Sequence, residues 1–97
     1  MPHMNIVKFH VNPDNIDNFL DAFKNATLNQ GQISGMLVQI AENKFCSIGL
    51  WESQSAMDEA MDDMISFLDT IRHMLITISE ELGVTDPASG PVLIEHN

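Results

Sequence analysis

From Asn5 to Val11 the chain alternates, with Val7, Phe9 and Val11 on one side and Ile6, Lys8 and His10 on the other. That is the period of a half-buried strand. Asn12-Pro13-Asp14 then opens a helix. Asn12 supplies a capping side chain, and Pro13 takes the first helical position, where its missing amide costs nothing. Ile16, Phe19, Leu20 and Phe23 form the apolar stripe, Ala26 or Thr27 extends it, and Gln30-Gly31 ends it. Ile33 to Ile40 and Phe45 to Trp51 read as two further strands. The polar turn Ala41–Lys44 between them makes them a hairpin.

The strand ending at Trp51 runs through Glu52-Ser53 into the longest periodic stretch of the chain. Met57, Met61, Met64, Leu68, Ile71, Leu75, Ile78 and Leu82 follow one another in steps of three and four. This spacing predicts one helix from Ser53 to Leu82, capped by Ser53 or Ser55 and stopped by Gly83 in a left-handed conformation. On its wheel Met57, Met61, Met64, Leu68 and Leu75 share a face, and Arg72 lies on the border. His73 falls on the polar side, four residues after Asp69. Thr85–Gly90 is rich in turn formers, and Pro91 opens a short last strand, Val92 to His96.

The element order is therefore β-α-β-β-α-β. With right-handed crossovers it predicts an α+β, ferredoxin-like fold: a four-stranded antiparallel sheet with both helices on one face. With 97 residues, one domain spanning 1–97 is expected, residues 1–3 carrying no weight in the pattern. The bare face of the sheet carries Ile6, Trp51 and, by alternation, either Met36 and Val38 or Ile33 and Leu37. Apolar surface of that extent calls for cover, and a second copy about a two-fold axis closes two sheets into a barrel. A homodimer through the open sheet face is the expectation.

Composition narrows the partners. Fourteen acidic residues against four basic ones give a formal net charge of -10. The chain repels phosphate backbones and anionic lipid heads and has no basic patch, so neither nucleic acid nor membrane is an expected partner. No apolar run is long enough to span a bilayer and no targeting leader is visible, which points to the cytoplasm. The single cysteine, Cys46, fits a reducing compartment and reads as a small buried hydrophobe.

No Cys/His spacing suggests zinc, no Gly-rich loop follows a strand to hold phosphate, and no Ser-His-Asp set can be placed. The metal expectation is none. His10, Lys8, Arg72 and Asn5 are the polar groups available for chemistry, without forming a recognisable constellation. Trp51 reads either as an anchor between sheet and helix or as a stacking platform. Met57, Met61 and Met64 read either as core or as the wall of an adaptable pocket.

Leu50-Trp51-Glu52-Ser53 with Ala56 following, the Asn12-Pro13 helix start after a first strand, and the order of elements resemble the antibiotic biosynthesis monooxygenase (ABM) superfamily. The resemblance runs roughly from Met4 to His96, and its members are small dimeric α+β barrels. Some oxidise aromatic polyketides with oxygen and neither metal nor flavin; others degrade haem or act on quinol-like compounds. Haem-degrading members use an Asn on the first strand, a second Trp inside the long helix and an iron-binding His. Here the strand position falls near Val7, the only Trp is Trp51, and His73 lies on the polar face, which argues against haem.

The resemblance thus implies a cofactor-independent oxygenase acting on a small aromatic or quinol-like compound, with no cofactor. Its pocket would be walled by Phe9, Phe23, Trp51, Met61, Met64 and Leu68, with Arg72 reaching the rim. His10 and Arg72 are the candidate catalytic residues. The rival reading is a non-catalytic dimer, ligand-binding or stress-related, that takes a small apolar ligand.

Overall fold

A computed structural model describes residues 1–96. The strands are β1 (His3–His10), β2 (Gln32–Ala41), β3 (Lys44–Trp51) and β4 (Thr85–Pro91). The helices are α1 (Ile16–Asn25), α2 (Gln54–Glu59) and α3 (Met61–Ile71). The sheet order is β2-β3-β1-β4, with every neighbouring pair antiparallel. This is the ferredoxin-like arrangement the pattern predicts. No helix among the described residues is long and apolar enough to cross a membrane.

Direct cross-strand partners share a face, so the pairing assigns the two sides of the sheet. His3, Asn5, Val7 and Phe9 pair with Trp51, Gly49, Ser47 and Phe45, and these face the helices. Met4, Ile6 and Lys8 pair with Leu50, Ile48 and Cys46 and face away. Of the two alternations considered for β2, Met36 and Val38 take the open face, opposite Ile48 and Cys46, while Leu37 packs into the core. Trp51 is corrected: counted in twos from Phe45 it lies on the helix side, and it is 1% exposed.

Phe9, Val11, Phe19, Phe45 and Ile71 form the main buried cluster, with Phe23, Phe67 and Leu68 packed against it. All five phenylalanines of the chain meet here, neighbouring rings lying 5.0–5.9 Å apart. A second, smaller cluster joins Trp51, Met57 and Ala60, with Met64 against it.

The caps follow the sequence. Asn12 Oδ1 accepts from the amide of Asp14 at 3.0 Å, although the first turn, Pro13–Asn15, is 3₁₀. Ser53 rather than Ser55 caps α2, its Oγ accepting from Ala56 N at 3.1 Å. α1 ends at Asn25, short of Ala26 and Thr27.

The long helix is the main departure. It breaks first at Ala60, which sits near φ -88°, ψ 0° and buries its methyl beside Trp51. It then ends at Ile71, eleven residues before Leu82, in a 3₁₀ turn Arg72–Met74. The physical reason is non-local. Asn12 N donates to Met74 O and Ile76 N donates to His10 O, both at 2.8 Å, so the chain at Met74–Ile76 runs beside the far end of β1. Ile76-Thr77-Ile78, rich in β-branched residues, suits that extended path better than a helix.

Gly83 does adopt a left-handed backbone, φ +71°, but it closes the tight turn Ser79–Gly83 instead of capping a helix. The last strand is corrected as well. It is Thr85–Pro91, the segment read as a loop, while Val92–His96 lies beyond it and leaves Leu93 and Ile94 exposed. Pro87 and Pro91 are accommodated because β4 is an edge strand, where a missing N–H faces no partner. His3, given no weight in the pattern, is buried in β1 opposite Trp51.

Candidate functional site

The two buried clusters do not fill the space between sheet and helices. An open cleft of about 1000 Å³ lies over the helix-facing side of the sheet. Its floor is built from Asn5, Val7 and Phe9 of β1, Ser47, Gly49 and Trp51 of β3, and Gly35 and Leu37 of β2. Met57 of α2 and Met61, Met64, Phe67 and Leu68 of α3 form one wall, and Phe23 with the loop 26–29 forms another. Ser89 of β4 closes the far edge.

The structure brings Phe9, Phe23, Trp51, Met61, Met64 and Leu68, the six residues singled out as pocket walls, around this one space. It does not bring the candidate catalytic residues there. His10 and Lys8 lie on the opposite side of the sheet, because their positions on β1 alternate with those of Asn5, Val7 and Phe9. Arg72 is exposed outside the cleft and pairs with Asp69, its Nη2 at 3.0 Å from the carboxylate. That pairing also replaces the Asp69–His73 pair expected from the helical spacing; His73 is exposed on the 3₁₀ turn.

Asn5 is the polar candidate that does reach the floor. Trp51 Nε1 donates to Asn5 Oδ1 at 2.8 Å. An indole N–H can only donate, so the Asn5 oxygen must face it and the Asn5 amino group must point away. That Nδ2 has no hydrogen-bond partner among the described residues, and no buried polar side-chain atom is left unsatisfied, so it is open to the cleft. Glycine at 49 makes this pair possible. A Cβ there would run into Asn5 Oδ1 and lie 3.0 Å from Trp51 Nε1.

Gln32 is the polar residue that sequence reasoning missed. Strict alternation places it with Ser34 and Met36 on the open face. A β-bulge at Ile33 shifts the register, so that Ser34 pairs with Leu50 but Gln32 pairs with Trp51. The bulge turns the Gln32 side chain into the cleft. Its Oε1 accepts from Asn29 N and Asn29 Nδ2 at 3.1 and 3.2 Å, and its Nε2 donates to Ser34 O at 3.1 Å. Gly31 just before it, at φ +81°, lets the loop come against Ala56, where any Cβ would lie 2.7 Å from the alanine methyl.

Among the described lining residues Asp63, on the rim, is the one charged side chain; no Lys, Arg or His takes part. No group of three or more His, Cys, Asp and Glu among the described residues is placed to hold a metal ion. The cleft can therefore surround an apolar or aromatic body and offer it neutral hydrogen bonds at one end.

In sequence, no protein-family model matches the chain, and no curated protein does. In structure, solved proteins match along almost the whole length. One from Chloroflexus aurantiacus, assigned to the antibiotic biosynthesis monooxygenases, superposes with a TM-score of 0.76 at 12% identity, covering 100% of this chain and 98% of its own. A variant of SnoaB from Streptomyces nogalater, a cofactor-independent oxygenase, has a TM-score of 0.69 at 12% identity over 97% and 95% of the chains. A dimeric ferredoxin-like protein from an uncultured marine organism has a TM-score of 0.75 at 10% identity over 99% and 91%. The chain shares the ferredoxin-like fold of these solved proteins. At these identities the likeness is one of fold.

Proposed function

We propose that the protein is a cofactor-independent oxygenase that takes a small aromatic or quinol-like compound into the cleft. The observation that carries this reading is the Trp51–Asn5 hydrogen bond on the floor of an otherwise apolar space. It presents an unpaired amide N–H where a ring would lie. An electron-rich ring that loses a proton becomes an oxyanion able to pass electrons to dioxygen, and a fixed amide donor favours that anion over the neutral ring. Methionine walls adapt to a flat ligand at little cost. The fold shared with a cofactor-independent oxygenase supports the same reading.

The working unit in this proposal is a homodimer. Ile6, Ile48, Met36 and Val38 form an apolar patch on the uncovered sheet face, and Met36 is 58% exposed in the single chain. A second copy is the simplest cover.

Anthrone is a suitable test substrate: with dioxygen it gives anthraquinone and water. Oxygen uptake matched by anthraquinone formation is the expected result, falling about 100-fold in Asn5→Ala, as for loss of a single oxyanion donor. Uptake no faster than in buffer, across anthrones and quinols alike, would refute the oxygenase. One observation favours the rival, a non-catalytic ligand-binding dimer. Among the described residues no Lys, Arg or His lines the cleft, and Asp63 on the rim is the one protein base there.

A further inference from the structure

Gly35 and Gly49 are direct partners across β2 and β3, both on the cleft side. Two glycines in register leave a strip of sheet without side chains, and three polar groups hang over it. A Cβ on Gly35 would lie 2.9 Å from Gln32 Nε2, and one on Gly49 would lie 3.0 Å from Trp51 Nε1 and 3.5 Å from Gln32 Nε2, with Asn5 Oδ1 closer still. Both side-chain amides therefore reach the Gly49 position, Gln32 through its nitrogen and Asn5 through its oxygen.

Their orientations are fixed by partners that can act in only one sense. The indole N–H holds the Asn5 oxygen, and the Asn29 backbone N–H holds the Gln32 oxygen. The Ser34 carbonyl holds one hydrogen of Gln32 Nε2. Gln32 Oε1 has both lone pairs occupied. Spare capacity is left on the nitrogen side: one hydrogen on Gln32 Nε2 and two on Asn5 Nδ2, none with another partner among the described residues.

We propose that Gln32 is a ligand-binding residue, and that Gln32 Nε2 and Asn5 Nδ2 together cradle one acceptor oxygen of the ligand above the Gly35–Gly49 strip. The ligand class is a flat, uncharged molecule carrying a ring carbonyl or the enol that yields an oxyanion. Donors without a neighbouring cation suit a neutral carbonyl, and a ligand with a permanent carboxylate finds no positive charge in the cleft. The inference rests on the proposed ligand role of the cleft but not on oxygen chemistry.

The test compares 9-fluorenone with fluorene, two planar tricycles of nearly the same shape that differ by a ketone. Equilibrium dialysis is expected to show the ketone bound about fivefold or more tighter, the size of one or two hydrogen bonds. Gln32→Glu, which swaps the donor for an acceptor, is expected to abolish that preference, and an unchanged circular-dichroism spectrum reports that the variant folds. The carbonyl stretch of bound 9-fluorenone in the unaltered protein is expected to fall relative to the free ketone in an apolar solvent. Equal affinity for the two ligands, or an unshifted carbonyl band, overturns the cradle. Binding of neither overturns the cleft as a ligand site and the cradle with it. Ketone preference without oxygen uptake from anthrone upholds the cradle and removes only the oxygenase.

Discussion

The two ends of the space under the helices are built from different residues, and the difference separates stability from binding. At one end five phenylalanines pack in edge-to-face and tilted pairs around Val11 and Ile71, both wholly buried. Phe19 and Phe45 lie outside the cleft, while Phe9, Phe23 and Phe67 also line it. At the other end the side chains are one tryptophan, three methionines and an alanine, and only Trp51, Met57 and Ala60 are closed off. Met61 is 41% exposed on the cleft wall. The phenylalanine end holds the sheet to α1 and α3. The methionine end leaves a gap whose floor is polar.

The contrast breaks most sharply under truncation. Phe19→Ala is expected to cost about 3–5 kcal/mol, as for any large side chain removed from a full core. Trp51→Ala belongs in the same range because the ring is buried despite lining the cleft. Met61→Ala, by contrast, is expected to cost less than about 1 kcal/mol, since much of the side chain is already in water. Urea unfolding at unchanged m-value measures all three. A cost for Met61→Ala equal to that of Phe19→Ala would mean that the cleft is closed in solution.

A gentler change separates the ring from its polar function. Trp51→Phe keeps most of the apolar body and deletes the N–H that fixes Asn5. A loss of about 1–2 kcal/mol is expected, together with loss of the ketone preference, because the Asn5 amide is then free to turn over. Retained preference would assign the orientation of Asn5 to something other than Trp51.

The opposite side of the sheet carries the proposed dimer contact. Light scattering on the unaltered protein is expected to give about twice the 10.8 kDa chain mass. Ile6→Asp puts an unpaired charge in the proposed interface and is expected to shift the mass toward the monomer. A monomeric parent protein at high concentration would leave the open face without the proposed partner.

The smallest effect is expected outside both regions. His73→Ala, on the exposed turn after α3, is expected to change stability by less than about 0.5 kcal/mol. Added haem is expected to show no Soret shift that depends on it; a shift lost in the variant would bring back haem as a ligand.

Short-range periodicity was legible along the chain. Alternation at Val7, Phe9 and Val11 and the stripe Ile16–Phe19–Phe23 define the core faces, because side-chain direction repeats within one or two turns of chain. The Asn12-Pro13 start and the Ser53 cap are equally local, each requiring only a side-chain oxygen close to a free amide. From these the element order and the ferredoxin-like sheet follow.

Three decisions belonged to the tertiary structure. The steps Leu68, Ile71, Leu75 and Ile78 fit a helix, yet the chain leaves it after Ile71 because the end of β1 offers backbone partners to Met74 and Ile76. Thr85–Pro91 has the composition of a loop, yet pairs with β1 because the edge of the sheet tolerates its prolines. Gln32 faces the cleft only because one extra residue, Ile33, is bulged out against β3. In each case the deciding partner lies on another strand, so residue-by-residue periodicity could not reveal it.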